Sequence, residues 1–153
     1  MAATPINVQL ENNYLGLVIT NVQGEYSENP IPLSNSDFLL DVDQEIRVQV
    51  RWDTTGSNPV TIDALEHVAD WEGEAVMHAI SPSAVTSSVF GAPIAFVNGA
   101  ATMDFLFPAT SLSKGIYTLY VRVSLRDKPA IAPHFLPVNM IGASNPILVF
   151  DAI

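Results

Sequence analysis

The chain contains no cysteine and few charged residues. Without cysteine it forms no disulfide, uses no thiolate nucleophile and builds no cysteine-ligated zinc site. Only 14% of the 153 residues are charged and 48% are hydrophobic, whereas about 25% charged residues is typical of a soluble domain. Either uncharged polar residues cover the surface, or another chain covers part of it. We expect the second, which predicts a homo-oligomer or a protein partner.

Positive charge is scarcer still. Six Lys and Arg residues stand against sixteen Asp and Glu residues, which gives a net charge of −10. No Lys or Arg precedes Arg47, and none lies between Arg51 and Lys114. Binding to nucleic acid or to an anionic membrane surface needs the opposite balance of charge. The sequence therefore predicts neither partner.

Long hydrophobic runs are also missing. No apolar run approaches the roughly 18 residues that a membrane-spanning helix needs. Residues 1–16 lack the basic segment and the apolar core of a signal peptide. We therefore expect a soluble, cytoplasmic protein, although a chain whose leader had been removed would give the same pattern.

Alternation of hydrophobic and polar residues dominates what is present. Residues 45–53 alternate without exception, and residues 116–125 repeat the pattern. A period of two is typical of strands with one buried face. Turn signals such as ENPIP, TGSNP and SNP separate the runs. The sequence predicts an all-β fold, a single antiparallel β-sandwich domain over 1–153 with seven to nine strands.

Two stretches allow more local predictions. Asn98-Gly99 lies between two β-prone runs, and both residue types tolerate the positive φ of a tight hairpin turn, so a hairpin is predicted there.

The secondary structure of residues 62–80 is ambiguous from the sequence. Their composition suits a helix with Thr61 as N-cap, but Gly73 argues against it, and we favour a strand over 71–80.

The stretch LSKGIY resembles the tyrosine corner of immunoglobulin-like and fibronectin III-like sandwiches, through Leu112, Gly115 and Tyr117. Gly115 permits a tight turn before the strand, and the alternation places Tyr117 on the buried face. Its hydroxyl then needs a hydrogen-bond partner, most simply a backbone group of the preceding turn. The resemblance covers 38–152 at the level of strand rhythm and implies a fold, which hosts many functions.

Acidic residues suggest one candidate metal site. Asp41, Asp43 and Glu45 fall on one side of an extended segment, and carboxylates that close together suit Ca²⁺. The alternative is a solvated acidic face, which also discourages pairing of an exposed strand edge. A second, zinc-like set exists only if 62–80 is helical, when His67, Asp70 and Glu74 would share a face.

Asp70, Trp71 and Glu72 form a candidate carbohydrate site, because sandwiches bind sugars by stacking them on exposed aromatic rings. The alternative is that Trp71 belongs to the core.

Motifs for nucleophilic catalysis, phosphate binding and zinc-dependent hydrolysis are absent from the sequence. We expect no enzyme activity and no cofactor.

The segment 126–146 would connect the last two strands, where a loop of about two to five residues is usual. It is much longer, contains four prolines and is rich in hydrophobic residues. A loop this apolar packs either over its own domain or against another chain. The candidate interface residues are Ile131, His134, Phe135, Leu136, Met140 and Ile141. The sequence thus favours a non-catalytic binding or assembly module that associates with itself through 126–146, with a carbohydrate-binding module as the alternative.

Overall fold

A computed structural model describes residues 4–12, 17–29, 39–56, 59–128 and 135–151. These residues are nearly all in strands, with one short helix, so the all-β prediction is confirmed. The elements in chain order are β1 (Thr4–Asn12), β2 (Leu17–Asn29), β3 (Leu39–Asp41), β4 (Glu45–Gly56), α1 (Pro59–Val68), β5 (Ala69–Ala79), β6 (Ser87–Phe90), β7 (Ile94–Ala95), β8 (Gly99–Phe107), β9 (Gly115–Asp127), β10 (Phe135–Ala143) and β11 (Ile147–Phe150).

The strands form one sheet with two halves joined by β1. Half A consists of β2, β4 and β8, and half B consists of β5, β9 and β10 with the shorter strands β3, β6, β7 and β11. The first residues of β1, Thr4–Ile6, pair with β2, whereas Asn7–Asn12 pair with β10. β1 therefore crosses from one half to the other.

Each half has one buried face, and buried side chains of both halves contribute to the core. In β4 the residues Ile46, Val48, Val50 and Trp52 are buried, and in β9 the alternate residues from Tyr117 to Leu125 are buried. The rings of Trp52 in half A and Trp71 in half B meet edge to face, with centroids 5.1 Å apart. Both alternating patterns in the sequence therefore predict the buried faces correctly.

Residues 59–79 contain both a helix and a strand, the two alternatives that the sequence left open for 62–80. The helix α1 starts at Pro59, two residues before the predicted N-cap Thr61, and proline is well tolerated at the first helical position. Its buried residues Ile62 and Leu65 are one turn apart. The chain becomes a strand at Ala69, so the strand predicted over 71–80 is confirmed.

The tyrosine-corner geometry at Tyr117 is present. Its ring is fully buried, and its hydroxyl donates a hydrogen bond to the backbone carbonyl of Ser113 at 2.8 Å. The Ser113 hydroxyl lies 3.0 Å from the hydroxyl oxygen of Tyr117, and the N–H of Val85 donates a hydrogen bond to that Tyr117 oxygen at 3.4 Å. The hydroxyl therefore ties the turn before β9 to the segment around residue 85.

Strand number and pairing differ from the prediction. The described residues form eleven strands rather than seven to nine, and β3 pairs with β11 in parallel. Four of the strands, β3, β6, β7 and β11, have two to four residues each. Runs such as β6 and β7 carry too little alternation to be recognised in a sequence.

The hairpin predicted at Asn98-Gly99 is wrong. Gly99 has the positive φ expected, +128°. However, β7 before it pairs with β5 in half B, and β8 after it pairs with β4 in half A. The turn thus carries the chain between the two halves and does not join neighbouring strands.

The segment 126–146 is not a single loop. Its residues 135–143 form β10, which lies between β1 and β9. Val138 and Met140 are apolar because they are buried in the core. The register with β9 shifts between Phe135 and Asn139, and Pro137 lies within this irregularity, where a strand tolerates the missing N–H.

Candidate functional site

The exposed face of half B is the most unusual surface of the described residues. Across β9 the outward residues are Ile116, Thr118, Tyr120 and Arg122, and neighbouring strands add further apolar residues in register. Ile116 lies opposite Leu148 of β11, Tyr120 lies between Val76 of β5 and Ala143 of β10, and Ile141 of β10 lies opposite Arg122. Cross-strand neighbours on one face are close enough for their side chains to touch.

Large apolar side chains on this face are substantially exposed. The exposed fractions are 40% for Ile116, 44% for Tyr120, 45% for Ile141 and 39% for Leu148. We name these four residues the B patch. Ile80 and Phe90 are exposed at its border, where the N–H of Ile80 bonds to the carbonyl of Ile116 and Phe90 lies opposite Glu74. Ile116 lies directly opposite Leu148, and Tyr120 lies diagonally from Ile141, so the patch consists of two pairs of apolar neighbours. Exposed apolar surface marks interaction sites.

Charged groups beside the B patch pair with one another. The guanidinium of Arg126 forms a salt bridge with the carboxylate of Glu72, and Arg122 lies opposite Glu74. Arg122 also donates a hydrogen bond of 2.8 Å to the hydroxyl of Ser124, which donates in turn to the side-chain oxygen of Asn139. The face therefore has little net charge of its own on a chain of net charge −10.

The sequence-predicted interface residues are only partly on this face. Ile131 and His134 lie outside the described residues, as do the side chains of Phe135 and Leu136, whose backbone belongs to β10. Met140 is buried in the core. Ile141 is the one residue of the predicted set that the described residues place on the exposed surface.

The candidate carbohydrate residues do not come together. Asp70 and Glu72 lie on the exposed face of β5, and Trp71 between them points to the opposite face because side chains alternate along a strand. Trp71 is fully buried, and its ring packs against Trp52 and, with centroids 6.1 Å apart, against Phe96. No face of this indole is available to stack on a sugar.

The structure brings together two of the three predicted metal-binding carboxylates. Asp41 and Asp43 group with Asp151, not with Glu45, and one carboxylate oxygen from each lies within 4.8 Å of the others. The parallel pairing of β3 with β11 creates this group. Asp41 is buried and accepts a 2.8 Å hydrogen bond from the N–H of Asp43. These residues supply three of the six to eight oxygens that Ca²⁺ takes, and exposed acidic groups are common without an ion.

The two described histidines, His67 and His78, do not form a catalytic group with other described residues. His67 is exposed on α1, where its Nδ1 lies 2.8 Å from the backbone carbonyl of Asp63. His78 is exposed on β5 with its ring 6.0 Å from that of Tyr120. His67, Asp70 and Glu74 do not share a helical face, because the helix ends at Val68.

Two clefts among the described residues contain few titratable side chains. A cleft of about 350 Å³ lies where β1 leaves β2, and Glu25 is the one ionisable residue in its lining. The carboxylate of Glu25 is 3.6 Å from the guanidinium of Arg51. A second depression of about 230 Å³ lies on half A, where the amide of Asn21 donates to Asp53 at 2.8 Å.

Sequence reasoning identified one residue of the B patch and missed three. The signal was present in part, because Ile116 and Tyr120 occupy the face of 116–125 opposite to the buried residues, where polar residues are usual. Leu148 and Asp151 could not have been placed, since their neighbours come from distant strands. No helix among the described residues has the length and hydrophobicity needed to cross a membrane.

Comparison with known proteins adds no relative. No protein-family model matches the chain, and no curated protein matches it.

Proposed function

We propose that this protein is a non-catalytic assembly module that associates with itself through the exposed face of half B. The observation that carries the proposal is the B patch, four large apolar side chains exposed by about two fifths on adjoining strands. Removing such surface from water is favourable at about 25 cal/mol per Å². A sheet face that is exposed to solvent usually carries polar residues at its outward positions.

A second copy is the partner that fits the charge of the face. Two molecules of charge −10 repel one another. The face of half B carries Arg122 and Arg126 beside its three carboxylates, Asp70, Glu72 and Glu74, so we expect two copies to approach there with little repulsion. In a two-fold arrangement Arg122 of one copy can also approach Glu74 of the other. Two sheet faces then pack as sheets do in a protein core.

We also propose that the two halves constitute an immunoglobulin-like sandwich. Support comes from the hydrogen bond between Tyr117 and Ser113, the paired rings of Trp52 and Trp71, and the strand β1 that contributes to both halves. This fold hosts many functions, so the function has to be argued from the exposed surface.

The test is the self-association of a variant that carries both Tyr120→Ser and Ile141→Ser. We expect a dimerisation constant about 100-fold weaker, because each of these exposed side chains is a candidate hot spot. The matched control is Val18→Ser, since Val18 is β-branched and 41% exposed on the outer face of half A. Sedimentation equilibrium over a hundredfold range of concentration gives the constants, and circular dichroism confirms that each variant is folded.

The proposal requires the control to associate as the unaltered protein does. A double variant with unchanged mass, or an unaltered protein that is monomeric at every concentration, contradicts it.

A further inference from the structure

The strand β8 ends the sheet at the side of half A. All of its nine residues, Gly99–Phe107, pair with β4 in an unbroken antiparallel register from Ile46↔Phe107 to Thr54↔Gly99. Within the described part of the chain, β4 is the strand to which it is paired. The opposite edge of β8 therefore presents a row of backbone N–H and C=O groups for further pairing.

The strand itself lacks the sequence features by which sheet edges usually prevent association, although Gly91, which follows β6, lies close to the side chain of Met103. Those features are short length, proline, lysine, β-bulges and unpaired charge. β8 is long, has an unshifted register and contains no proline, lysine or arginine. Its one charged residue is Asp104, whose carboxylate accepts hydrogen bonds from Arg47 at 3.0 and 3.2 Å and from Gln49 at 2.9 Å.

The order of residues along β8 makes the strand complementary to itself. Its first half contains small residues and its second half contains large ones, GAAT before Met103 and DFLF after it. In an antiparallel pair of two such strands centred on Met103, every large side chain except Met103, which faces its own copy, lies opposite a smaller residue. Met103, Phe105 and Phe107 are buried in their own core, so the pairs that meet on the exposed face are Ala100 with Leu106 and Thr102 with Asp104. The directly opposed pairs are Gly99 with Phe107, Ala100 with Leu106, Ala101 with Phe105, and Thr102 with Asp104.

Charge selects the same register. A pair centred on Asp104 would place two carboxylates directly opposite each other, which is unfavourable. Centring on Met103 instead places each Asp104 opposite a Thr102 hydroxyl of the other strand, which can donate a hydrogen bond to it. Thr102, Asp104 and Ala100 are all exposed, so these outer pairs are accessible to a second molecule.

We propose that β8 pairs in antiparallel fashion with β8 of a second copy of this chain, with the two-fold axis at Met103. The pairing joins two half-A sheets into one continuous sheet. It uses a different surface from the proposed contact between B patches. Two distinct two-fold contacts on one subunit do not close at a dimer, so together they extend the assembly into a linear polymer.

The experiment removes the face contact first. In a protein carrying Tyr120→Ser and Ile141→Ser, only the edge contact remains, and sedimentation equilibrium should still detect a concentration-dependent dimer. Adding Thr102→Asp places a carboxylate opposite each Asp104, twice per dimer, and should weaken that dimer about tenfold or more. The same change lies opposite Arg51 within its own chain, so the fold should be retained.

The charge-reversed control is Thr102→Lys, which places an ammonium group opposite Asp104 of the partner copy. In the proposed register this variant should dimerise at least as well as its Thr102 parent. Equal weakening by Thr102→Asp and Thr102→Lys overturns the register. A face-disrupted parent that is strictly monomeric overturns the edge contact.

The outcomes also separate this inference from the proposed function. If the Tyr120→Ser and Ile141→Ser protein matches the unaltered one and Thr102→Asp alone produces a monomer, the edge contact stands and the face contact fails. If the unaltered protein dimerises and the face-disrupted one is monomeric, the face contact stands and the edge contact fails.

Discussion

The exposed faces of the two halves follow the same alternation but present different surfaces. On half A the outward residues of β4 are polar and are paired with neighbours, as in Arg47 with Asp104 at 3.0 Å and Arg51 with Glu25 at 3.6 Å. On half B the outward residues of β9 include Ile116 and Tyr120. The two faces come from one chain in one solvent, so we attribute the difference to the contact proposed for half B.

The comparison shows how a low charge content is distributed. Half A has the composition expected of a solvated sheet, with apolar exceptions at Val18 and Leu106. Exposed apolar residues are more numerous on half B, where they adjoin across β9, β10 and β11. The average composition thus conceals one ordinary face and one that resembles the inside of an interface.

The largest expected effect comes from the buried face of half B. A Cβ at Gly73 would lie 2.8 Å from the Arg122 carbonyl oxygen, 2.8 Å from Phe105 Cζ and 2.7 Å from Met103 Sδ. Gly73→Ala should therefore lower the free energy of unfolding by about 3 kcal/mol, measured by urea denaturation. Glu74→Ala, on the exposed face, is the control and should change it by less than about 1 kcal/mol. Equal effects would show that the two faces of β5 are not distinct.

The ion pairs of the two faces should differ in strength. Arg126 and Glu72 on half B have side chains 19% and 23% exposed, whereas Arg47 and Asp104 on half A are 48% and 51% exposed. Glu72→Gln should cost about 2 kcal/mol because it leaves a half-buried guanidinium without its counter-charge. Asp104→Asn should cost less than about 1 kcal/mol. Denaturation of both variants at one pH tests this order, and the reverse order would contradict it.

Two tyrosines of β9 provide a comparison within one strand. Tyr117→Phe removes the hydroxyl that donates to Ser113, and it should lower the free energy of unfolding by about 1.5 kcal/mol without changing self-association. Tyr120→Ser should weaken self-association and change stability much less, since Tyr120 is exposed. Thermal denaturation and sedimentation on both variants separate the two effects. A loss of association in Tyr117→Phe would mean that the exposed face depends on the tyrosine corner.

Salt should have the smallest effect. An apolar contact between two molecules of charge −10 gains from screening of their repulsion. Raising NaCl from roughly 0.05 M to 0.5 M should therefore tighten self-association by about two- to fivefold. If salt weakened self-association, the contact would be made by complementary charges. The charged face of half A, and not the B patch, would then be the candidate interface.

The buried faces could be predicted from the sequence, and the exposed contacts only in part. Alternation over 45–53 and 116–125 identifies the core residues because burial imposes a period of two on each strand. The tyrosine corner is local as well, since Tyr117 and Ser113 are four residues apart. The grouping of Asp41 with Asp151 and of Ile116 with Leu148 depends on strands that are distant in sequence, for which alternation carries no pairing information.

The prediction that residues 126–146 form a surface loop was wrong over the greatest length of chain. Val138 and Met140 are hydrophobic because β10 lies inside the sheet between β1 and β9. Three prolines in 126–137 masked this strand, and Pro137 is accommodated at its irregular start. Composition alone does not separate an apolar loop from an irregular inner strand.

Hydroxyl-radical footprinting of the unaltered protein, over a hundredfold range of concentration, tests the central claim most directly. The reactivity of Tyr120, Ile141 and Leu148 should fall as the concentration rises, while that of Val18 on half A stays constant. Protection that is equal on both faces, or reactivity of Tyr120 that is independent of concentration, would contradict the assignment of the interface to half B.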